Sequence, residues 1–188
     1  MGAAKGKHMQ TNIRTTLPAL AALALVAFAA GGAGNQKTGK LKQQLIGAWT
    51  MVSDTVDQQG TKVAPFGPSP KGNMILTSDG HFSIVLTRPD VPKFASNSRT
   101  NGTAEENKAA MQGGIGYFGT YTVSDADKTV NLHVEASTFP NWSGTDQKRI
   151  VALSGDEMTV TNPTPSIGPG TATLVWKRAK EARQTAQR

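Results

Sequence analysis

From Leu45 to Arg178 the chain runs in short stretches where apolar and polar residues alternate, each stretch closed by a turn signal. Met74 to Thr77 and Phe82 to Leu86 flank Asp79-Gly80, and Ile150 to Leu153 and Met158 to Thr161 flank Gly155-Asp156. An Asp-Gly or Gly-Asp pair between two such runs predicts a β-hairpin. A third pair of runs is joined by Ser124-Asp125-Ala126-Asp127-Lys128. With a strand around Trp49 and another over Thr171 to Lys177, the spacing predicts about eight strands in an all-β, antiparallel up-and-down barrel. One segment departs from this period. Thr103-Ala104-Glu105-Glu106 has the form of a capping box, Ala109-Ala110-Met111 follow, and Gly113-Gly114 end the run, so one short helix is inserted between the third and fourth strands. The connection before it, Pro89 to Gly102, is either a lid or a plain surface crossover.

Composition changes the picture mainly at the ends. The 188 residues, 37% of them hydrophobic, suffice for one domain with a sizeable core. Lys5, Lys7 and Arg14 precede an apolar run from Leu17 to Ala30 that contains Ala27-Phe28-Ala29, a small-residue cleavage pattern. The pattern predicts a signal peptide over residues 1–30, a Gly-rich linker over 31–40, the barrel over 41–179 and a basic tail over 180–188. The apolar run is shorter than the ~20 residues of a spanning helix, so no stable membrane span is expected after cleavage, and the protein is expected to be secreted or periplasmic. Removing the three basic residues of the signal lowers the formal charge from +7 to +4. Much of the rest lies in Lys177 to Arg183, with no aromatic residue interleaved, which argues against nucleic-acid binding. The absence of cysteine excludes disulfides, thiolate metal ligands and thiol nucleophiles. His81 and His133, the histidines beyond the signal, lack metal-ligand spacing, and no nucleophile elbow or phosphate loop occurs; neither metal nor cofactor is expected.

Candidate chemistry concentrates in one hairpin. Because strand side chains alternate, Val130, Leu132, Val134 and Ala136 share one face while Asn131, His133, Glu135 and Ser137 share the other. The polar row either faces water or lines a cavity. His133 and Glu135, two residues apart on one face, are the combination that general acid/base chemistry uses, which favours the cavity. Gln147 and Arg149 would come beside them from the next strand, and a buried Glu135 would need Arg149 as its partner. Tyr117 and Tyr121 share a face, either offering hydroxyls to a ligand or packing. Trp142 is either a roof over the barrel mouth or a partial core plug. Phe82, Ile84 and Leu86 supply apolar wall, and Ser83 is a further candidate for the lumen, where a larger side chain would fill it.

Several motifs carry a resemblance. Leu45-Ile46-Gly47-Ala48-Trp49, read with Leu174-Val175-Trp176-Lys177-Arg178, resembles the closure of a lipocalin-type, or calycin, barrel. Pro65-Phe66-Gly67-Pro68, Arg88-Pro89-Asp90, His133-Val134-Glu135, Phe139-Pro140-Asn141-Trp142 and Gln147-x-Arg149 resemble more narrowly the bacterial lipocalin-like domain family, over about Leu41 to Arg178. The resemblance implies that Gly47, Trp49 and Arg178 are architectural, with Arg178 or Lys177 covering the Trp49 ring. It also points to His133, Glu135, Gln147 and Arg149 as the site. The function it implies is binding of a small, mostly hydrophobic ligand in the barrel lumen, with Arg149 suited to an acidic head group. The alternative is an isomerase or cyclase in which His133 moves a proton and Glu135 orients it.

Overall fold

A computed structural model describes residues 40–180. The predicted signal, the linker as far as residue 39 and the tail from residue 181 lie outside the described residues. Elements follow in the order α1 (Lys40–Leu45), β1 (Gly47–Gln58), β2 (Thr61–Val63), β3 (Lys71–Leu76), β4 (His81–Thr87), α2 (Ala104–Gln112), β5 (Gly114–Ser124), β6 (Thr129–Ser137), a 3-10 turn (Pro140–Trp142), β7 (Asp146–Ser154), β8 (Glu157–Asn162) and β9 (Thr171–Arg178). Every neighbouring pair is antiparallel, and β1 also pairs with β9 from Trp49–Arg178 to Asp57–Thr171. That pairing closes eight strands into a barrel, with β2 a short flap on the far end of β1. Closure removes both edges of the eight-stranded sheet, and among the described strands only the three-residue β2 keeps an unpaired side.

The barrel has a closed base and an open mouth. At the base α1 buries Leu41 and Leu45 under the ends of the strands, and the Leu41 amide donates to the Asp125 carboxylate at 2.7 Å, tying α1 to the β5–β6 turn. At the other end α2 forms the predicted capping box: Thr103 Oγ1 accepts from the Glu106 amide, and Glu106 Oε2 accepts from the Thr103 amide at 2.8 Å. Glu106 Oε1 also accepts from the Ala95 amide, so one carboxylate fastens both the helix start and the 88–103 connection. Among the described residues no helix is long and apolar enough to cross a membrane.

Which faces point inward corrects two expectations. In β6, Val130, Leu132 and Val134 are buried and Asn131, His133 and Glu135 are exposed, so the polar row faces water. The apolar row goes inward because the lumen is where it leaves water; among the described residues neither α1 nor α2 is a main packing partner of β6. In β4, Phe82, Ile84 and Leu86 point inward, and Ser83, on the opposite face, points out. The lumenal placement of His133, Glu135 and Ser83 is therefore overturned.

Two bulges complicate simple alternation. In β1 the register against β9 shifts between Met51 and Ser53, so the inward set passes from Trp49 and Met51 to Asp54 and Val56. In β6 a shift opposite Phe118 and Gly119 loops out Glu135. A Cβ at Gly119 would stand 1.9 Å from the His133 carbonyl oxygen, so only glycine lets the backbones approach this closely.

Candidate functional site

The base is a polar cluster built over a buried tryptophan. Trp49 is fully buried, and its indole Nε1 donates to the Leu45 carbonyl at 2.9 Å. The Arg178 guanidinium lies over the ring, 4.3 Å from its centroid, and donates to the Ile46 and Gln44 carbonyls at 3.1 and 2.7 Å. Gly47 holds a φ of 126°, and a Cβ there would press on Arg178 Nη1 at 3.2 Å. Lys177, one residue earlier, is exposed. The indole and both terminal guanidinium nitrogens thus each have a backbone acceptor, and Arg178 Nε lies 3.6 Å from the Asp156 carboxylate.

Above it the lumen opens. Met74, Leu76, Ile84, Leu86, Val130 and Leu132 supply much of the wall, with Trp176 low in the barrel and Trp142 near the mouth. The cavity within this lining is about 70 Å³. A second, larger cavity of about 540 Å³ lies between the mouth loops and α2. It is bordered by Arg88, Met111 and Phe139 and shares Pro65, Phe66, Ile115, Ser166 and Ile167 with the lumen, so those five residues form the throat between vestibule and barrel. Among the 88–113 segment, only Arg88, Met111 and Gln112 reach the vestibule; the Pro89–Gly102 stretch does not line it.

Four polar side chains of the strands interrupt the apolar lining, Asp54, Tyr117, Arg149 and Asn162, and the 163–170 loop adds Ser166. Arg149, 4% exposed, donates to the Lys148 carbonyl at 3.0 Å and to Gln147 Oε1, and its guanidinium sits 5.9 Å from the Trp142 ring centroid. Burial pulls its pKa below the usual range, opposed by the neighbouring Tyr117. Tyr117 is held edge-on between Phe82 and Trp142, with centroids 5.8 and 5.1 Å away, and burial raises its phenol. Asn162 turns its Oδ1 back to the Thr164 amide at 3.0 Å, shaping the 163–170 loop that brings Pro165, Ser166 and Ile167 over the lumen. Asp54 differs from the other three. It is 5% exposed, Oδ1 has no hydrogen-bond partner among the described residues, and burial pushes its carboxyl up to about 6.

The structure thus brings Tyr117, Trp142 and Arg149 together at the lumen, with Gln147 behind Arg149 as its support. Tyr121 lies at the base instead, its hydroxyl donating to the Thr77 carbonyl at 2.7 Å under Lys42. His133 is on the outer surface, with Nδ1 2.8 Å from the Asp146 carboxylate, and Glu135 is exposed beside it. The expected Glu135–Arg149 pair does not form, since the two side chains lie on opposite sides of the barrel wall. The acid/base alternative loses its cavity on the same ground. Asp54 and Asn162 were missed by sequence reasoning. The available signal was in β1 itself: the apolar positions change parity between Met51 and Val56, which marks a bulge and puts Asp54 in phase with Val56.

Residues 46–179 match the lipocalin-like domain family. The chain belongs to this family. A curated relative, the 4'-hydroxy-3'-methoxypropiophenone carrier protein of Aspergillus oryzae, is 33% identical over 105 residues, which are 51% of this chain and 95% of that one. The relative is fungal, and the narrower bacterial resemblance is not what the match shows. Among solved structures, wild-type fluorescent protein UnaG matches with a TM-score of 0.35 at 8% identity, over 73% of this chain and 98% of that one. A biogenic amine-binding protein matches with a TM-score of 0.36 at 10% identity, over 74% of this chain and 66% of that one. At these scores the two structures bear on nothing beyond general resemblance; the fold rests on the closed strand order itself.

Proposed function

We propose that this lipocalin-like protein is an exported carrier of one small, mostly apolar molecule, taken up through the vestibule and held in the lumen. The observation that carries the reading is the lumen itself, apolar over most of its wall, joined to an open mouth and marked by a few convergent polar groups, the usual form of a small-molecule site. The fungal relative, named for carrying an aromatic ketone, supports a ring-bearing ligand; Trp142, Tyr117 and Phe66 offer edges and faces for such a ring. The Lys5, Lys7 and Arg14 residues ahead of the Leu17 to Ala30 run support export.

Native mass spectrometry of the purified protein, compared with its denatured mass, tests for a resident molecule. Titration with propiophenone, followed by tryptophan fluorescence and calorimetry, tests the lumen directly. Wild type is expected to bind, with quenching through Trp142 and Trp176, and Ala172→Phe, which fills the lumen from β9, is expected to fold and lose binding. Equal affinity in both proteins, or no resident molecule and no binding of aromatic ketones in wild type, overturns the reading. Export is tested separately by fractionating cells that express the full chain; retention in the cytoplasm overturns that part.

A further inference from the structure

We infer that Asp54 is the receptor for a hydroxyl group on a neutral ligand, and that the same ligand turns a carbonyl or ether oxygen toward Arg149. This rests on the lumenal carrier reading and goes on to name the chemistry the lumen selects. Buried polar atoms in folded proteins almost always have a hydrogen-bond partner, and a carboxylate oxygen without one is costly to keep. Asp54 keeps such an oxygen inside an otherwise apolar wall. Its surroundings explain why the chain does not satisfy it. The β1 bulge swings Asp54 inward between Met51 and Val56, and its partner across the ladder is Leu174; all three are apolar. Asp54 enters none of the ion pairs among the described residues.

The charged and titratable groups sharing the space decide between ligand types. Arg149 is the lumenal cation, three strands away from Asp54 through β9 and β8, and Tyr117 lies between aromatic neighbours on β5. One anion and one cation, held apart, leave the lumen without net charge. An ammonium ligand would satisfy Asp54 but add a second cation beside Arg149, and a carboxylate ligand would do the reverse to Asp54. A neutral molecule with a donor at one end and an acceptor at the other suits both walls. Burial holds the Asp54 carboxyl near 6, so at neutral pH it is ionised and accepts. Toward an ionised carboxylate a hydroxyl, above all an acidic phenolic one, makes the short, strong O–H···O⁻ bond. The Arg149 guanidinium, which has donors only, faces the acceptor end.

The test is calorimetric titration of the full chain at pH 7.5 with propiophenone, para-hydroxypropiophenone, para-ethylphenol and tyramine. Wild type is expected to bind para-hydroxypropiophenone at least about 10-fold more tightly than propiophenone, the effect of one hydrogen bond to a charged group. Asp54→Leu should bring the two within about 2-fold of each other while propiophenone binds no worse. Asp54→Asn, which keeps the shape and an acceptor oxygen, should retain part of the preference and guards against a folding defect in the leucine variant. The inference is overturned if wild type binds the two ketones equally, if the preference survives Asp54→Leu, or if tyramine binds more tightly than para-ethylphenol, which would make Asp54 a cation site. Retained propiophenone binding in those cases leaves the carrier reading standing. Failure of all four probes to bind wild type overturns both.

Discussion

The base and the lumen of the barrel handle charge in opposite ways. At the base the part-exposed Arg178 stacks on Trp49 and donates hydrogen bonds to the Ile46 and Gln44 carbonyls, with Asp156 nearby at 3.6 Å, so its charge is met by groups of the chain and by water. In the lumen Asp54 is far more deeply buried, yet one carboxylate oxygen is left without a partner and its carboxyl is driven up to about 6. A satisfied buried network rigidifies a fold, whereas an unsatisfied one weakens it and persists where something else completes it. On the proposed carrier function, the difference separates the part of the molecule that holds the barrel together from the part that receives the ligand.

Variants can break this contrast from either side. The largest effect is expected from Trp49→Ala, which empties the most buried site of the base and should cost about 3–5 kcal/mol in urea unfolding. Arg178→Met keeps the stem over the ring but removes the cation and two hydrogen bonds; a loss of about 1–3 kcal/mol is expected, with ligand affinity unchanged. A barrel that tolerates either change would show that the base is not what closes it.

Asp54→Asn should act in the opposite direction, raising stability by about 1 kcal/mol at pH 7.5 after allowance for solvent screening, because it removes a buried charge that the free protein leaves unpaired. The pH dependence sharpens this. The folded chain holds the Asp54 carboxyl at about 6 against an ordinary 3.8, so the folded state binds this proton more tightly than the unfolded state. The stabilising contribution of the protonated group is full below about pH 3.8 and is lost as the pH rises through 6. Melting temperatures measured from pH 4 to 7.5 should fall further in wild type than in Asp54→Asn; parallel curves would mean that Asp54 is not desolvated in the free protein. Smallest of all, His133→Ala on the outer face should change stability by less than about 0.5 kcal/mol and leave ketone affinity within about 2-fold. A marked loss of binding would return the site to the β6–β7 surface.

How far the chain could be read without its fold differs by feature. The hairpin turns, the strands that flank them and the Thr103–Glu106 capping box were legible because each is set by residues close in sequence: alternation gives a strand two faces, and a hydroxyl three residues before a glutamate starts a helix. Alternation does not say which face is inside. For β6 the polar row His133 and Glu135 and the apolar row Val130, Leu132 and Val134 are equally regular, and only closure of β1 on β9, which makes the lumen the dry side, sends the apolar row inward. The bulge at Met51–Ser53 is likewise a product of pairing, and it moves Asp54 from the outward phase into the lumen. Local residue order determined the strands and turns of this protein. The assembled barrel decided which side chains meet, because burial is a property of the closed surface and not of any strand alone.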